Sequence, residues 1–343
     1  MAVRRSVAAA IALAVLAVAA AKESSACESP PRVIRELATP RFTFPLGLAV
    51  APDGALWVAS TMSDHLVRVD PMGGTTEAHR LPLRTHPVGI ALDRGGAVWF
   101  SGSGVGLVGR LAPRASRAAE FPPPALLTGA RGVPTAWSLA LGGPRSEVWF
   151  SMPSHGLVGR LAAGAQPTRR GSLVTEYRLD GAAPRPEGVV LDDAGGAWIA
   201  DAGGDRLVHV DAAGRARPVA LGTGSRPRGV ARDATGAVWA TLFGAGTLAR
   251  VADGGVEART WPLPAAGTAR PWAVAVDAAG RVWLSDTGND AILCFDPGRS
   301  RFTAWRVPTP RASVRALAVD LTERVWFVGA YTGRLGVVEA GSP

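Results

Sequence analysis

The sequence predicts an all-β protein, a seven-bladed β-propeller whose ring is closed by an N-terminal strand in the last blade. Two observations predict this fold. A tryptophan recurs at intervals of 41 to 50 residues, which is the length of a four-stranded propeller blade. The chain also starts with a segment typical of a fourth strand and finishes after a third one. The seven repeated residues are Trp57, Trp99, Trp149, Trp198, Trp239, Trp283 and Trp326.

Each repeat begins with two strands joined by a recognisable turn. A proline, or a substitute for it, opens a short apolar strand, an Asp-x-x-Gly turn follows, and the next strand reads apolar-Trp-apolar. Aspartate at the first turn position bonds the backbone, and glycine at the last supplies a positive φ. Asp93 with Gly96 fits this pattern, whereas Asp320 is followed by Glu323. The indole side chains are expected to pack between neighbouring blades.

The two ends of the repeat region explain how the ring closes. Residues 33–37 resemble a fourth strand, while residues 335–338 resemble a third strand and leave the last blade without an outer strand. The N-terminal strand is therefore expected to complete blade seven, which removes an exposed sheet edge. With 47% apolar and 19% charged residues, residues 32 to 340 are expected to form one propeller.

The first 26 residues have the features of a secretory signal. Arg4 and Arg5 precede an apolar stretch at residues 7–21, and Ala21 and Ala26 are both possible cleavage positions. The apolar stretch is short for a membrane span, so none is predicted. The protein is therefore expected to be exported, either to the periplasm or outside the cell. Cleavage after Ala26 would make Cys27 the first residue and allow a lipid anchor.

The two cysteines leave three alternatives open. Cys294 takes the third-strand position that arginines hold in other repeats, so its side chain is predicted to point outward. Cys27 is expected near the outer strand of blade seven, beside blade six. A disulfide that pins the ring closure, two free thiols and a lipidated Cys27 are all compatible with the sequence.

The net charge of +9 does not indicate a nucleic-acid-binding protein. The arginines are spread through every repeat, including the third-strand positions, which predicts a solvated β-surface rather than a single basic patch. The sequence has no nucleophile elbow, phosphate loop or metal-spacing motif. The five histidines are expected at the surface, and the protein is expected to be a monomer.

Two sets of positions are predicted to face one end of the central channel. The first set follows the opening proline of each repeat, and the second lies three residues after each tryptophan. The post-proline set is Leu46, Val88, Trp137, Glu187, Arg228, Trp272 and Arg315. The post-tryptophan set is Ser60, Gly102, Met152, Asp201, Leu242, Asp286 and Gly329.

The polar members of both sets fall in blades four to seven, which predicts an asymmetric site. Ligand binding is assigned to Glu187, Arg228, Trp272, Arg315 and Trp137. A divalent cation, Mg²⁺ or Ca²⁺, is considered at Glu187, Asp201 and Asp286, because carboxylate oxygens suit these ions. The alternative is that these charges only pair with one another around a water-filled channel.

The repeat resembles the streptogramin (virginiamycin B) lyase family of seven-bladed propellers over about residues 32 to 340. The resemblance rests on Pro-x-Gly-Val-Ala followed by Asp-x-x-Gly-x-Val-Trp, and on third strands such as Gly109-Arg110-Leu111. It implies magnesium-dependent opening of a cyclic depsipeptide at its ester, with histidines at post-proline positions. Here that set contains no histidine, and His86 precedes Pro87 instead of following it.

Three functions follow from these observations. The first is an exported propeller that binds a small molecule, glycan or peptide at the channel rim. The alternative is a metal-dependent lyase or lactone hydrolase that acts on a cyclic ester at the same rim, for which the catalytic residues are not identified. The third is a scaffold that binds other proteins through its outer faces. The sequence leaves open whether the protein is an enzyme.

Overall fold

The computed structural model describes residue 27 and residues 32–37, 41–124, 132–144, 146–162, 164–165, 173–265 and 267–340. These residues form seven four-stranded antiparallel sheets around a central axis. The predicted signal at residues 1–26 lies outside the described residues. No helix in the described ranges is both long enough and apolar enough to cross a membrane.

The strands follow the repeat, with the first strand of each blade at the axis and the fourth at the periphery. Blades one and two are β2 Pro45–Val50, β3 Leu56–Ser60, β4 His65–Val69 and β5 Thr76–Arg80, then β6 Pro87–Leu92, β7 Val98–Gly102, β8 Leu107–Leu111 and β9 Ala119–Phe121. Blades three and four are β10 Leu139–Gly142, β11 Glu147–Met152, β12 Leu157–Ala162 and β13 Thr175–Arg178, then β14 Pro186–Leu191, β15 Ala197–Asp201, β16 Arg206–Val210 and β17 Ala216–Ala220. Blades five and six are β18 Pro227–Arg232, β19 Val238–Leu242, β20 Thr247–Val251 and β21 Ala258–Pro262, then β22 Pro271–Val276, β23 Val282–Asp286, β24 Ala291–Asp296 and β25 Arg301–Arg306. Blade seven contains β26 Val314–Val319, β27 Val325–Gly329, β28 Leu335–Ala340 and the N-terminal β1 Arg32–Glu36. Single 3₁₀ turns, Thr61–Ser63 and Pro153–His155, link the second and third strands of blades one and three.

The N-terminal strand closes the ring as the sequence predicted. β1 pairs antiparallel with β28, which places Arg32 opposite Ala340 and Glu36 opposite Gly336. Blade seven therefore has the strand order β1-β28-β27-β26. This pairing satisfies the outer edge of β28 and leaves blade seven with four strands like the others.

The repeated tryptophans fill the spaces between blades, and the turn aspartates hold them in place. Trp99 is fully buried and packs in one cluster with Phe150 of blade three. Asp93 Oδ1 accepts turn N–H groups, while Oδ2 accepts the Trp99 indole N–H at 3.2 Å. The same indole-to-aspartate bond forms in blades five, six and seven. One aspartate thus fixes both the turn and the buried ring.

The third-strand arginines contribute to blade stacking, which corrects the expectation of a simply solvated surface. Arg110 lies 3.1 Å from Asp93 Oδ2, and its guanidinium carbon is 5.6 Å from the Trp99 ring centroid. Arg160 similarly pairs with Glu147 and covers Trp149. Much of the positive charge is therefore compensated locally and placed over an indole face.

The cysteines form a disulfide between Cys27 and Cys294. The prediction that Cys294 points outward is wrong, because it is fully buried and bonded to Cys27, with Trp283 and Val338 in the same cluster. A sulfur atom in a disulfide cannot also carry a lipid. The bridge therefore removes the alternatives of free thiols and of lipid anchoring at Cys27 in this oxidised state.

The turn that departs from the Asp-x-x-Gly pattern still forms. Glu323 takes the glycine position with φ 61°, and its N–H donates to the Asp320 carbonyl at 3.0 Å. Its carboxylate lies 2.5 Å from Arg281 Nη2 of blade six and 3.5 Å from Arg32 Nη2 of β1. Glu323 therefore both completes the turn and forms ion pairs across the interface where the ring closes.

Candidate functional site

The channel mouth is a cavity of about 260 Å³ at the axis of the ring, where the first strands of all seven blades begin. The structure places the complete predicted post-proline set around it. The residues that define the channel mouth are Leu46, Val88, Trp137, Glu187, Arg228, Trp272 and Arg315.

A β-bulge turns the post-proline side chains toward the axis. In blade four Pro186 pairs with Asp201, and regular pairing resumes only between Val189 and Ile199. The first strand therefore has one residue more than its partner over this stretch, and Glu187 lies in the irregular part. The same shift occurs after Pro227 and Pro271.

The same register keeps Asp201 out of the channel mouth. Asp201 is fully buried at the end of β15, opposite Pro186. Its carboxylate accepts the backbone N–H of Arg185 at 2.7 Å and pairs with Arg206 Nε at 2.9 Å. This aspartate fixes the loops beside the site instead of lining it.

Asp286 has an equivalent role in blade six. Its carboxylate accepts the backbone N–H groups of Arg270 at 2.7 Å and Gly288 at 3.0 Å, and the side-chain amide of Asn289 at 2.6 Å. The expected set of Glu187, Asp201 and Asp286 is therefore not brought together. The described part of the chain contains no group of three His, Cys, Asp or Glu side chains that fits a metal ion. These residues do not fit a resident Mg²⁺ or Ca²⁺.

Glu187 is buried and is held by two arginines. Its Oε1 lies 2.6 Å from Arg228 Nη1 and 2.9 Å from Arg185 Nε, and its side chain is 3% exposed. Burial raises the pKa of Glu187 above its ordinary value, although the positive charges of Arg228 and Arg185 oppose this shift. Burial also lowers the pKa of Arg228, and the Glu187 carboxylate opposes that change. Arg228 Nε is buried without a hydrogen-bond partner among the described residues.

Two guanidinium groups form cation–π contacts with the ring of Trp272. The guanidinium carbons of Arg228 and Arg315 each lie 4.5 Å from the centroid of its ring. Arg315 donates to Ser313 Oγ at 3.3 Å and to the Tyr331 hydroxyl at 3.2 Å. Both partners are neutral, and no carboxylate in the described ranges lies within ion-pair distance of Arg315. Its positive charge is stabilised by aromatic faces but not neutralised.

The opposite half of the channel mouth is apolar. Leu46 and Val88 pack with Ala330, and Phe44 and Trp137 border the same cluster. One half therefore offers aliphatic and aromatic surface, while the other offers guanidinium groups and one carboxylate. Arg185, Arg228 and Arg315 outnumber Glu187, so the site has an excess of positive charge.

The chain is similar to known proteins in both sequence and fold. A model of the virginiamycin B lyase family matches residues 129–342, which is more than half of the chain. The chain belongs to this family. The resemblance drawn from the repeat motifs is thereby confirmed.

Solved structures of the virginiamycin B lyase family share the fold of this member. A streptogramin B lyase structure aligns with a TM-score of 0.79 and 18% identity over 90% of this chain and 98% of its own. A catalytically inactive virginiamycin B lyase from Staphylococcus aureus with quinupristin aligns with a TM-score of 0.79 and 18% identity, over 90% of this chain and 99% of its own. A structure outside the lyases, the extracellular domain of a putative one-component system from B. thetaiotaomicron, aligns with a TM-score of 0.68 and 14% identity. The alignment covers 87% of this chain and 41% of the other. No curated protein sequence matches the chain.

This family member also has site residues that the sequence argument missed. Arg185 and Phe44 directly precede the opening proline, while Phe243 and Tyr331 follow the ends of the second strands. Their signal was the same departure from the repeat, at positions one or two residues away from the two sets considered. No histidine lines the channel mouth. His155 is buried, which corrects the expectation that all five histidines lie at the surface.

The raised pKa of Glu187 predicts a specific pH dependence of stability. As pH rises through the ordinary carboxyl value of 4.5, the unfolded chain loses the Glu187 proton before the folded protein does. The folded state then binds more protons, so this group's contribution to stability falls until pH passes the folded pKa. The unfolding free energy of Glu187→Gln relative to wild type should therefore rise between pH 4 and 7. Urea denaturation at several pH values measures this difference, and a difference that falls with pH would contradict the burial argument.

Proposed function

We propose that the protein is an exported β-propeller that binds a small molecule, glycan or peptide at the channel mouth. The observation that carries the proposal is the Arg228–Trp272–Arg315 arrangement facing an apolar half. Ring closure does not require this arrangement, since blades one and two have Leu46 and Val88 at the same position. Converging polar groups beside an apolar wall are typical of ligand sites.

The charge of the channel mouth supports a ligand with an acidic group. Glu187 compensates Arg228 and Arg185 in part, while Arg315 has only neutral hydrogen-bond partners. An acidic group would take the free donors of Arg315 while an apolar group packs against Leu46 and Trp137. A volume of about 260 Å³ is small for a whole ligand, so the channel mouth suits one side chain or sugar ring of a larger molecule.

Export is supported by two independent features. Residues 1–26 have the composition of a secretory signal. The Cys27–Cys294 disulfide is typical of oxidising compartments. The structural match to an extracellular domain is compatible with the same location. We therefore propose that the protein acts in the periplasm or outside the cell.

The alternative, a metal-dependent lyase or lactone hydrolase acting on a cyclic ester, is supported by family membership. Such an activity needs several oxygen ligands for the cation and a general base within reach of the substrate. Among the residues that the structure describes, Glu187 is the one carboxylate lining the channel mouth, and two arginines already engage it. Binding without turnover is therefore the better-supported function.

A matched pair of probes tests the proposal. N-acetylphenylalanine and its neutral amide differ only in the charge that Arg315 would meet. The acid should bind wild type roughly tenfold or more tightly than the amide, because a charge-assisted hydrogen bond contributes about 1.5–3 kcal/mol. Isothermal titration calorimetry should show this preference lost in Arg315→Ala.

Arg226→Ala is the matched control, because Arg226 is exposed on the same side of the ring but does not line the channel mouth. It should retain the preference for the acid. Equal affinity of the acid for wild type and Arg315→Ala would refute the role of Arg315. Failure of both probes to bind wild type would count against the channel mouth as a site for this class of ligand.

A further inference from the structure

A second cavity, of about 480 Å³, lies between blades one and two. We call it the inter-blade pocket; it is lined by Trp57, Glu77 and His79 of blade one and by Leu92, Arg94 and Arg114 of blade two. The turns that border it are at the strand ends opposite to Pro45 and Pro87. The pocket is therefore on the side of the ring away from the channel mouth, and its volume is within the range of small-molecule sites.

Blade one departs from the repeat at this position. In blades two, five, six and seven the turn aspartate accepts the indole N–H of the repeated tryptophan. In blade one Asp53 is instead turned outward and accepts Arg68 Nη2 at 2.6 Å. Trp57 Nε1 donates no hydrogen bond within the described residues, and Trp57 borders the pocket. The indole donor is thus available to a ligand.

The fourth strand of blade one departs in the same way. Phe121, Tyr177, Trp261 and Trp305 stack on the repeated tryptophans of their blades. His79 takes this place in blade one, with ring centroids 5.2 Å apart from Trp57. Its Nε2 is buried without a hydrogen bond in the described structure, since Glu77 Oε1 at 3.4 Å is outside hydrogen-bond geometry. Because this nitrogen has no accessible surface, the imidazole contributes ring surface rather than a hydrogen bond to the pocket.

The pocket has a surplus of positively charged donors. Arg94 and Arg114 are exposed at its rim, and neither has an ion-pair partner in the described part of the chain. Arg68 neutralises Asp53, so Glu77 is the one lining carboxylate not engaged by an arginine. Pro52, Leu92 and Pro113 supply apolar walls. The lining therefore offers donors for an anion, one acceptor for hydroxyl groups and apolar surface for a ring.

We propose that the inter-blade pocket is a second ligand site, which binds a small hydroxylated carboxylate such as a uronic acid. Arg94 and Arg114 hold the carboxylate, and Glu77 accepts a ligand hydroxyl group. The Trp57 indole N–H completes the polar contacts. The inter-blade pocket is separate from the channel mouth. If the pocket binds no ligand, the function proposed for the channel mouth is unaffected.

Calorimetric titration of the full protein with glucuronate and with glucose tests the proposal. Wild type should bind glucuronate at least tenfold more tightly than glucose, because glucose lacks the carboxylate. The double variant Arg94→Ala, Arg114→Ala should lose roughly tenfold or more in glucuronate affinity.

Arg306→Ala is the control, since this exposed arginine of blade six lies outside both cavities. It should bind glucuronate like wild type. Equal binding of glucose and glucuronate would overturn the proposal, as would no glucuronate binding by wild type. Binding that falls in Arg315→Ala but not in the double variant would place glucuronate in the channel mouth and also overturn it. Thermal unfolding of each variant shows whether the fold is retained.

Discussion

Replacing Arg281 with alanine is expected to destabilise the protein by about 3–5 kcal/mol, the usual result of leaving one member of a buried ion pair alone. Arg281 Nε lies 2.6 Å from Asp277 Oδ2, and both side chains are almost completely buried. Its Nη2 reaches Glu323 of blade seven at 2.5 Å. Although burial opposes the charged form, Asp277 and Glu323 raise the pKa of Arg281 above its ordinary value. The variant would leave the Asp277 carboxylate buried without its cation.

Arg324→Ala is the matched control for Arg281→Ala. Arg324 has the same position in the turn of blade seven, where its Nε lies 2.7 Å from Asp320 Oδ2, but its side chain is 24% exposed. Removing this solvent-screened partner should cost about 1 kcal/mol or less. Urea denaturation gives both free energies of unfolding. Equal losses of unfolding free energy in the two variants would show that the Arg281–Glu323 contact between blades six and seven adds no stability beyond that of the ion pair within the turn.

Removing the disulfide is expected to destabilise the oxidised protein by about 2–5 kcal/mol. The bridge joins residues that are 267 positions apart in the sequence, so it strongly restricts the unfolded chain. It also ties Cys27 to β24, the third strand of blade six. Thermal and urea unfolding of a Cys27→Ala, Cys294→Ala variant measures the loss.

Reductant supplies the internal control for the disulfide prediction. Wild type in dithiothreitol should approach the stability of the double alanine variant, whereas the variant itself should not respond. Unchanged stability of wild type under complete reduction would show that β1 closes the ring without help from the bridge.

The architecture could be predicted because propeller blades repeat their chemistry. The spacing of the tryptophans gave the number of blades, and the fourth-strand character of residues 33–37 gave the closing strand. Both depend on local patterns that recur in the chain. The post-proline set could be placed around the channel for the same reason, since all blades share one strand order.

What could not be predicted depends on register and on contacts between distant segments. Asp201 and Asp286 were expected beside Glu187, but the bulge after the opening proline separates the two sets and leaves both aspartates bonded to loop amides. Cys294 was expected to point outward, but it is bonded to Cys27, which is 267 positions away in the sequence. The indole bonds of the turn aspartates also require a three-dimensional structure, because spacing alone does not show which carboxylate oxygen faces inward.

The pairing of β1 with β28 has a consequence for how the protein is made. Arg32 is synthesised long before its partner Ala340. The closing strand must therefore remain unpaired until β28 has been made, and contacts this distant in sequence form slowly. If the chain is exported before it folds, Cys27 reaches the oxidising compartment long before Cys294. A chaperone that shields β1 during that interval would protect both the strand edge and the thiol.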